Sequence, residues 1–232
     1  MEPSQNFDIR EYNSHLHNGD TGVVYINFGI DLMNSIENES KSEEKTLEEL
    51  LIERDIEPIL DTCRFIDLYH SKQTTHLKPT SVTFHGTVTN QVYDEIIKQN
   101  ADSHSRIDKE QSIKYYGTSE ISGGIKKVTG NMMADIDRSL REGTLKLINI
   151  REKYVDQTIE TLVTHYHELN KEQGIKKSTR IAPADASIIL CAYKIHHDIE
   201  QSGSEKKIAI LSSDFKDVIS GVHYLKSIRR QS

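Results

Sequence analysis

Three acidic residues stand at positions from which a folded chain does chemistry: Glu95, Asp185 and Asp214. Asp214 follows the apolar run Lys207-Ile208-Ala209-Ile210-Leu211 through Ser212-Ser213, and that run reads as a strand buried on both faces. Glu95 and Asp185 fall in the first turns of helical patterns entered from strand ends, and Asn27 follows a further apolar run, Gly22-Val23-Val24-Tyr25-Ile26. In an open parallel sheet ligands collect at the carboxyl ends of the strands, so this chain order carries the three acids into one pocket. Carboxylates that converge within a few ångströms repel one another, and the arrangement becomes favourable when a hard divalent cation binds between them. Taken singly, each acid also has an ordinary explanation, since negative charge is favoured at a helix start.

The elements that must position these residues alternate along the chain. Strands are expected at 22–26, around Thr87-Val88, at 144–150, at 207–211 and at 222–225. Helices are expected from Thr46, with Glu49 completing a capping box, towards Tyr69 with a bend near Pro58; from Thr89 or Asn90; from Gly124 to Gly143; over 155–169; and from Pro183 to Ile199. Strands separated by helices at this spacing imply right-handed crossovers and an α/β fold. The expected architecture has three layers, a central parallel sheet of about five strands with helices on both faces. Residues 1–20 read as a loosely ordered lead-in and 21–232 as one domain, enlarged near 37–75 and 100–119.

Composition removes several classes of function. No apolar run approaches the roughly 20 residues of a membrane span, and the first residues lack a signal-peptide pattern, so a cytoplasmic protein away from membranes is expected. Cys63 and Cys191 lie far apart in apolar helical contexts and read as buried free thiols. No G-x-G-x-x-G, P-loop, G-x-S-x-G or H-E-x-x-H pattern occurs, which removes support for nucleotide cofactors, P-loop phosphate transfer, serine hydrolysis and that zinc site. The net charge of −7 resides in residues 37–61, where ten acids face three bases. That segment reads as a solubilising surface, with a cover for the pocket or a dock for a basic protein partner as the alternatives.

The ordered set of local patterns resembles the PIN-domain nucleases over about residues 20–228. Members of that family begin with an apolar strand ending in Asp, followed by a small hydroxylated residue and Asn, and Val23-Val24-Tyr25-Ile26-Asn27-Phe28-Gly29 is similar in placement. Thr87-Val88-Thr89-Asn90-Gln91-Val92-Tyr93-Asp94-Glu95 resembles the second motif, Ala182-Pro183-Ala184-Asp185 the third and Ile210-Leu211-Ser212-Ser213-Asp214 the last. The resemblance implies a hydrolase of RNA phosphodiester bonds that uses Mg²⁺ or Mn²⁺. It implies metal ligation by Glu95, Asp185 and Asp214, and a role for Ser212 in orienting the cluster or contacting a phosphate. Asn27 in place of the first Asp removes one negative charge, with Asp31 as an alternative ligand, so a degenerate module that binds RNA or a protein is the alternative implication. A homodimer is compatible with the sequence.

Overall fold

The computed structural model describes residues 22–25, 35–36, 39, 45–74, 81–104, 120–121, 124–125, 129–173, 181–212, 218, 221 and 224–225. The expected strand at Gly22–Tyr25 (β1) is present. Thr46 caps helix α1 (Leu47–Glu53) through the capping box with Glu49 that the sequence predicts. The chain then departs from the expected single helix. Arg54 closes α1, Asp55 turns with φ 56°, and Ile56–Leu60 forms a strand, β2, before helix α2 (Thr62–Thr74) begins. The expectation of one helix from Thr46 towards Tyr69 is therefore corrected to helix, strand, helix.

Next come β3 (Gly86–Thr89), α3 (Asn90–His104) and a two-strand hairpin, β4 (Glu120–Ile121) with β5 (Gly124–Ile125). Helix α4 (Gly130–Glu142) starts at the Thr129 cap, later than the expected Gly124, and ends at the left-handed Gly143 (φ 76°). Then follow β6 (Leu145–Ile148), α5 (Glu152–Gln173), α6 (Pro183–Ser202) and β7 (Lys207–Ser212). The last expected strand, at 222–225, is not formed, because Gly221, Tyr224 and Leu225 are helical.

The main sheet runs β1-β7-β2-β3-β6. Its four strands β7, β2, β3 and β6 are parallel and flanked by helices, whereas β1 pairs antiparallel with β7 at the edge. That corrects the expectation of five parallel strands. It also reverses the strand expected to deliver Asn27, since β1 enters opposite Ser212 and leaves opposite Ala209, running towards the amino end of β7. Among the described residues, no helix is long and apolar enough to cross a membrane.

Proline in a central strand is unusual, because it removes a ladder donor. Pro58 is accommodated in β2 because the pairing of β2 with β3 is confined to Ile59 and Thr87, while the β7 side is paired along the whole strand. Gly86 opens β3 with φ 124°, and a Cβ there would lie 2.6 Å from the Pro58 carbonyl oxygen, so this close approach requires glycine. The core comprises the apolar side chains of β2 and β7, all buried, with Ile188 and Ile189 of α6 and the tilted Phe65–Phe84 pair, whose ring centroids are 5.1 Å apart. Each such side chain contributes about 1.5–3 kcal/mol on burial.

Candidate acidic site at the carboxyl ends of the strands

The parallel order places the ends of β2, β3 and β7 side by side. Asp61 is the first residue after β2 and is buried. Its Oδ1 accepts a hydrogen bond from the Thr62 backbone N–H at 2.6 Å. Its Oδ2 accepts from the Ser212 hydroxyl at 2.7 Å and from the Cys63 thiol at 3.1 Å. These bonds fix the orientation of the carboxylate. Asp61 also joins strands directly, its N–H donating to the Leu211 carbonyl oxygen at 3.1 Å.

Glu95 comes from the second turn of α3, and its Oε2 accepts from the Thr62 hydroxyl at 2.7 Å. Thr62 thus bridges the two acids, giving its amide to Asp61 and its hydroxyl to Glu95. Burial pushes the Glu95 carboxyl above the usual glutamate range, and the charge of Asp61 adds to the rise, against the opposing hydrogen bond from Thr62. The pair is electrostatically unfavourable as two anions, which is the condition a hard cation relieves.

Asp185 stands in the first turn of α6, half-buried. The helix is anchored at this end by Ser187, whose hydroxyl lies 2.6 Å from that of Thr89 at the end of β3. Ser187 donates to the Ala184 carbonyl oxygen at 2.7 Å, so its oxygen receives the Thr89 proton. Of the residues expected from the sequence, Glu95 and Ser212 therefore converge on the Asp61–Thr62 turn, and Asp185 begins the helix tied to the neighbouring strand. Asp214, two residues beyond Ser212, lies outside the described residues, as do Asn27 and Asp31. Among the described residues, no group of three or more His, Cys, Asp or Glu side chains forms a metal-holding cluster.

Asp61 escaped the sequence reading, although a signal for it was present. Ile56-Glu57-Pro58-Ile59-Leu60-Asp61-Thr62 is an apolar run ending in an acid and a hydroxyl residue, much as Ile210-Leu211-Ser212-Ser213-Asp214 is. The thiols differ from each other: Cys63 is half-buried at the site, while burial pushes the Cys191 thiol up to about 12.

Among the described residues of the acidic segment 37–61, several acids are engaged within the fold. Glu48 is fully buried and holds Arg64 with two hydrogen bonds, 2.6 and 3.0 Å. Glu53 pairs with Lys45 and Glu39 with Arg54. At the amino ends of the strands, Glu57 meets Lys206 at 2.8 Å and Lys146 at 3.4 Å beside a cleft of about 240 Å³. Burial works to raise the Glu57 pKa, but hydrogen bonds from Lys206 and Thr87 and the two ammonium charges outweigh it and hold the carboxyl below its ordinary range. No family model, curated protein or solved structure matches this chain.

Proposed function

We propose that the chain is a metal-dependent ribonuclease of PIN-like type, acting through an acidic cluster built on Asp61, Glu95, Asp185 and Asp214. The observation that carries this reading is the Asp61–Thr62 turn, where a buried aspartate and a half-buried glutamate share one threonine and a serine from β7 orients the first of them. Asp61 also supplies what Asn27 lacks. An apolar strand ending in Asp and followed by a small hydroxylated residue is the first motif of the resemblance, and Ile59-Leu60-Asp61-Thr62 fits it better than Tyr25-Ile26-Asn27-Phe28. Cys63 stands where that family usually has Asn.

The donor set suits Mg²⁺ or Mn²⁺, because carboxylate oxygens are hard ligands and Thr62 joins two acids at one turn. Asp61 and Glu95 would hold the ion together with Asp214, while Asp185, outside any metal-holding group of the described residues, would contribute negative charge from the start of α6. The bound ion supplies activation of water and stabilisation of the leaving oxygen in phosphodiester hydrolysis. The chain's own part is orientation: Ser212, Cys63 and the Thr62 amide fix Asp61, and the Thr62 hydroxyl fixes Glu95. A cytoplasmic location and RNA as the partner belong to the same reading.

The test is cleavage of end-labelled single-stranded RNA in Mn²⁺ by the purified chain. Asp61→Asn and Glu95→Gln should each abolish it, with circular dichroism showing that both variants fold. Cleavage that survives both substitutions overturns the proposal.

A further inference from the structure

A buried serine hydroxyl ties a helix to the chain of β3 at each end of that strand. Ser139 of α4 does so before the strand: its hydroxyl accepts from the Phe84 backbone N–H at 2.9 Å and donates to the Asp135 carbonyl oxygen at 2.9 Å. Ser187 of α6 does so after it, donating to the Ala184 carbonyl oxygen at 2.7 Å, but its other partner is a side chain, the Thr89 hydroxyl at 2.6 Å. The Ser139 bond satisfies a donor of the fully buried Phe84, so stability alone accounts for it. The Thr89–Ser187 bond satisfies no backbone group. A bond between two buried side-chain hydroxyls can be exchanged for an apolar contact of the same shape at little cost to stability, and what it adds is a fixed geometry.

The place of the bond gives that geometry a use. Thr89 ends β3, and its hydroxyl oxygen also accepts from the Val92 N–H at 3.3 Å, the bond by which a capping residue holds a helix start. The helix so held is α3, which carries Glu95, and it packs against α6. Ser187 follows Asp185 by two residues at the start of α6. One chain of hydrogen bonds therefore runs from the Val92 amide through both hydroxyls to the Ala184 carbonyl oxygen, and it joins the start of the Glu95 helix to the start of the Asp185 helix. Thr89 and Ser187 are both 0% exposed, so neither hydroxyl can reach a substrate.

We propose that Thr89 and Ser187 are positioning residues of the acidic site: their bond sets where the Asp185 charge stands relative to Glu95, and thereby how strongly the site holds a divalent cation. The inference rests on the metal-dependent reading of the site and adds to it two residues that touch neither metal nor RNA. Groups that orient a metal site from behind its ligands commonly change affinity by about 10–100-fold when removed.

The experiment titrates Mn²⁺ into the full metal-free chain by calorimetry and follows urea unfolding of each variant in EDTA. Ser187→Ala and Thr89→Val should each bind Mn²⁺ about tenfold more weakly or worse, while Thr89→Ser, which keeps the hydroxyl, binds as the unaltered chain does. The variant carrying both Thr89→Val and Ser187→Ala should lose no more affinity than Thr89→Val alone, because both changes remove the same bond. Ser139→Ala is the control for a buried hydroxyl lost at the other end of β3: it should lower the urea midpoint at least as far as Ser187→Ala does and leave Mn²⁺ affinity unchanged. Unchanged affinity in a folded Ser187→Ala or Thr89→Val protein, or an equal loss in Ser139→Ala, overturns the proposal. The two readings fail separately. Mn²⁺ binding that ignores Ser187→Ala removes the positioning role alone, whereas hydroxyl-dependent Mn²⁺ binding without RNA cleavage removes the nuclease alone. A chain that binds no Mn²⁺ removes both.

Discussion

Glu57 and Asp61 lie four residues apart, at the two ends of β2, and are equally buried at 8% and 7% exposure. Burial therefore does not distinguish them; their neighbours do. Glu57, at the amino end, receives two ammonium groups and the Thr87 hydroxyl, and its pKa falls. Asp61, beyond the carboxyl end, receives an amide, a hydroxyl and a thiol, and shares Thr62 with a second acid whose pKa rises. One end of the strand thus settles its charge within the fold, and the other gathers like charges at a cost to stability. Perturbation of the second kind is characteristic of functional sites.

The contrast breaks most sharply in activity. Asp61→Asn should lower RNA cleavage by at least about a hundredfold, the range in which a positioned catalytic group acts, whereas Glu57→Gln should leave the rate of the folded protein unchanged. Initial rates in Mn²⁺ decide this, and equal loss in both variants would erase the distinction between the two ends. In stability the order reverses. Glu57→Ala strands Lys206 and Thr87 and should cost about 2–3 kcal/mol in urea unfolding, the scale of a charge-assisted hydrogen-bond group.

Metal response is the next measure. Mn²⁺ at ten times its dissociation constant should stabilise the unaltered chain by about 1.4 kcal/mol, and Asp61→Asn should lose that gain while Glu57→Gln keeps it. The smallest effect concerns pH in the metal-free protein. The folded pKa of Glu57 is lowered, so its contribution is complete above the ordinary 4.5 and is lost as pH falls through the folded value beneath it. The folded pKa of Glu95 is raised, so the folded state binds the extra proton and stability declines as pH rises from 4.5 through the folded value above it. Glu95→Gln should accordingly raise the urea midpoint at pH 7 in EDTA, and a fall instead would mean that the site is not strained by its charges.

The sequence made the outer parts of the site legible and hid its centre. Glu95 and Asp185 follow elements whose patterns are distinct: the short β-branched strand before α3, and Pro183 opening α6. Ser212 ends the apolar run Ile208-Ala209-Ile210-Leu211. β2, by contrast, is buried at all five positions, so it lacks the alternation that marks a half-exposed strand. Its apolar residues happen to continue the spacing of α1, and Pro58 argues locally against a central strand. Only the pairing of β2 with β7, distant in sequence, resolves the ambiguity in favour of a strand. β1 misled for a related reason, since an apolar run carries no sign of its direction, and the antiparallel pairing is a tertiary choice.

The bond between Ser212 and Asp61 joins residues 151 positions apart. In a chain made from its amino end at about 5–20 residues per second, Asp61 emerges roughly 8–30 s before its serine. Until β7 inserts between β1 and β2, the carboxylate lacks the Ser212 hydroxyl and the Asp61 amide lacks the Leu211 carbonyl. Hydrolytic competence, on the proposed function, is therefore withheld from the nascent chain until β7 docks, a temporal safeguard for the RNA being translated next to it.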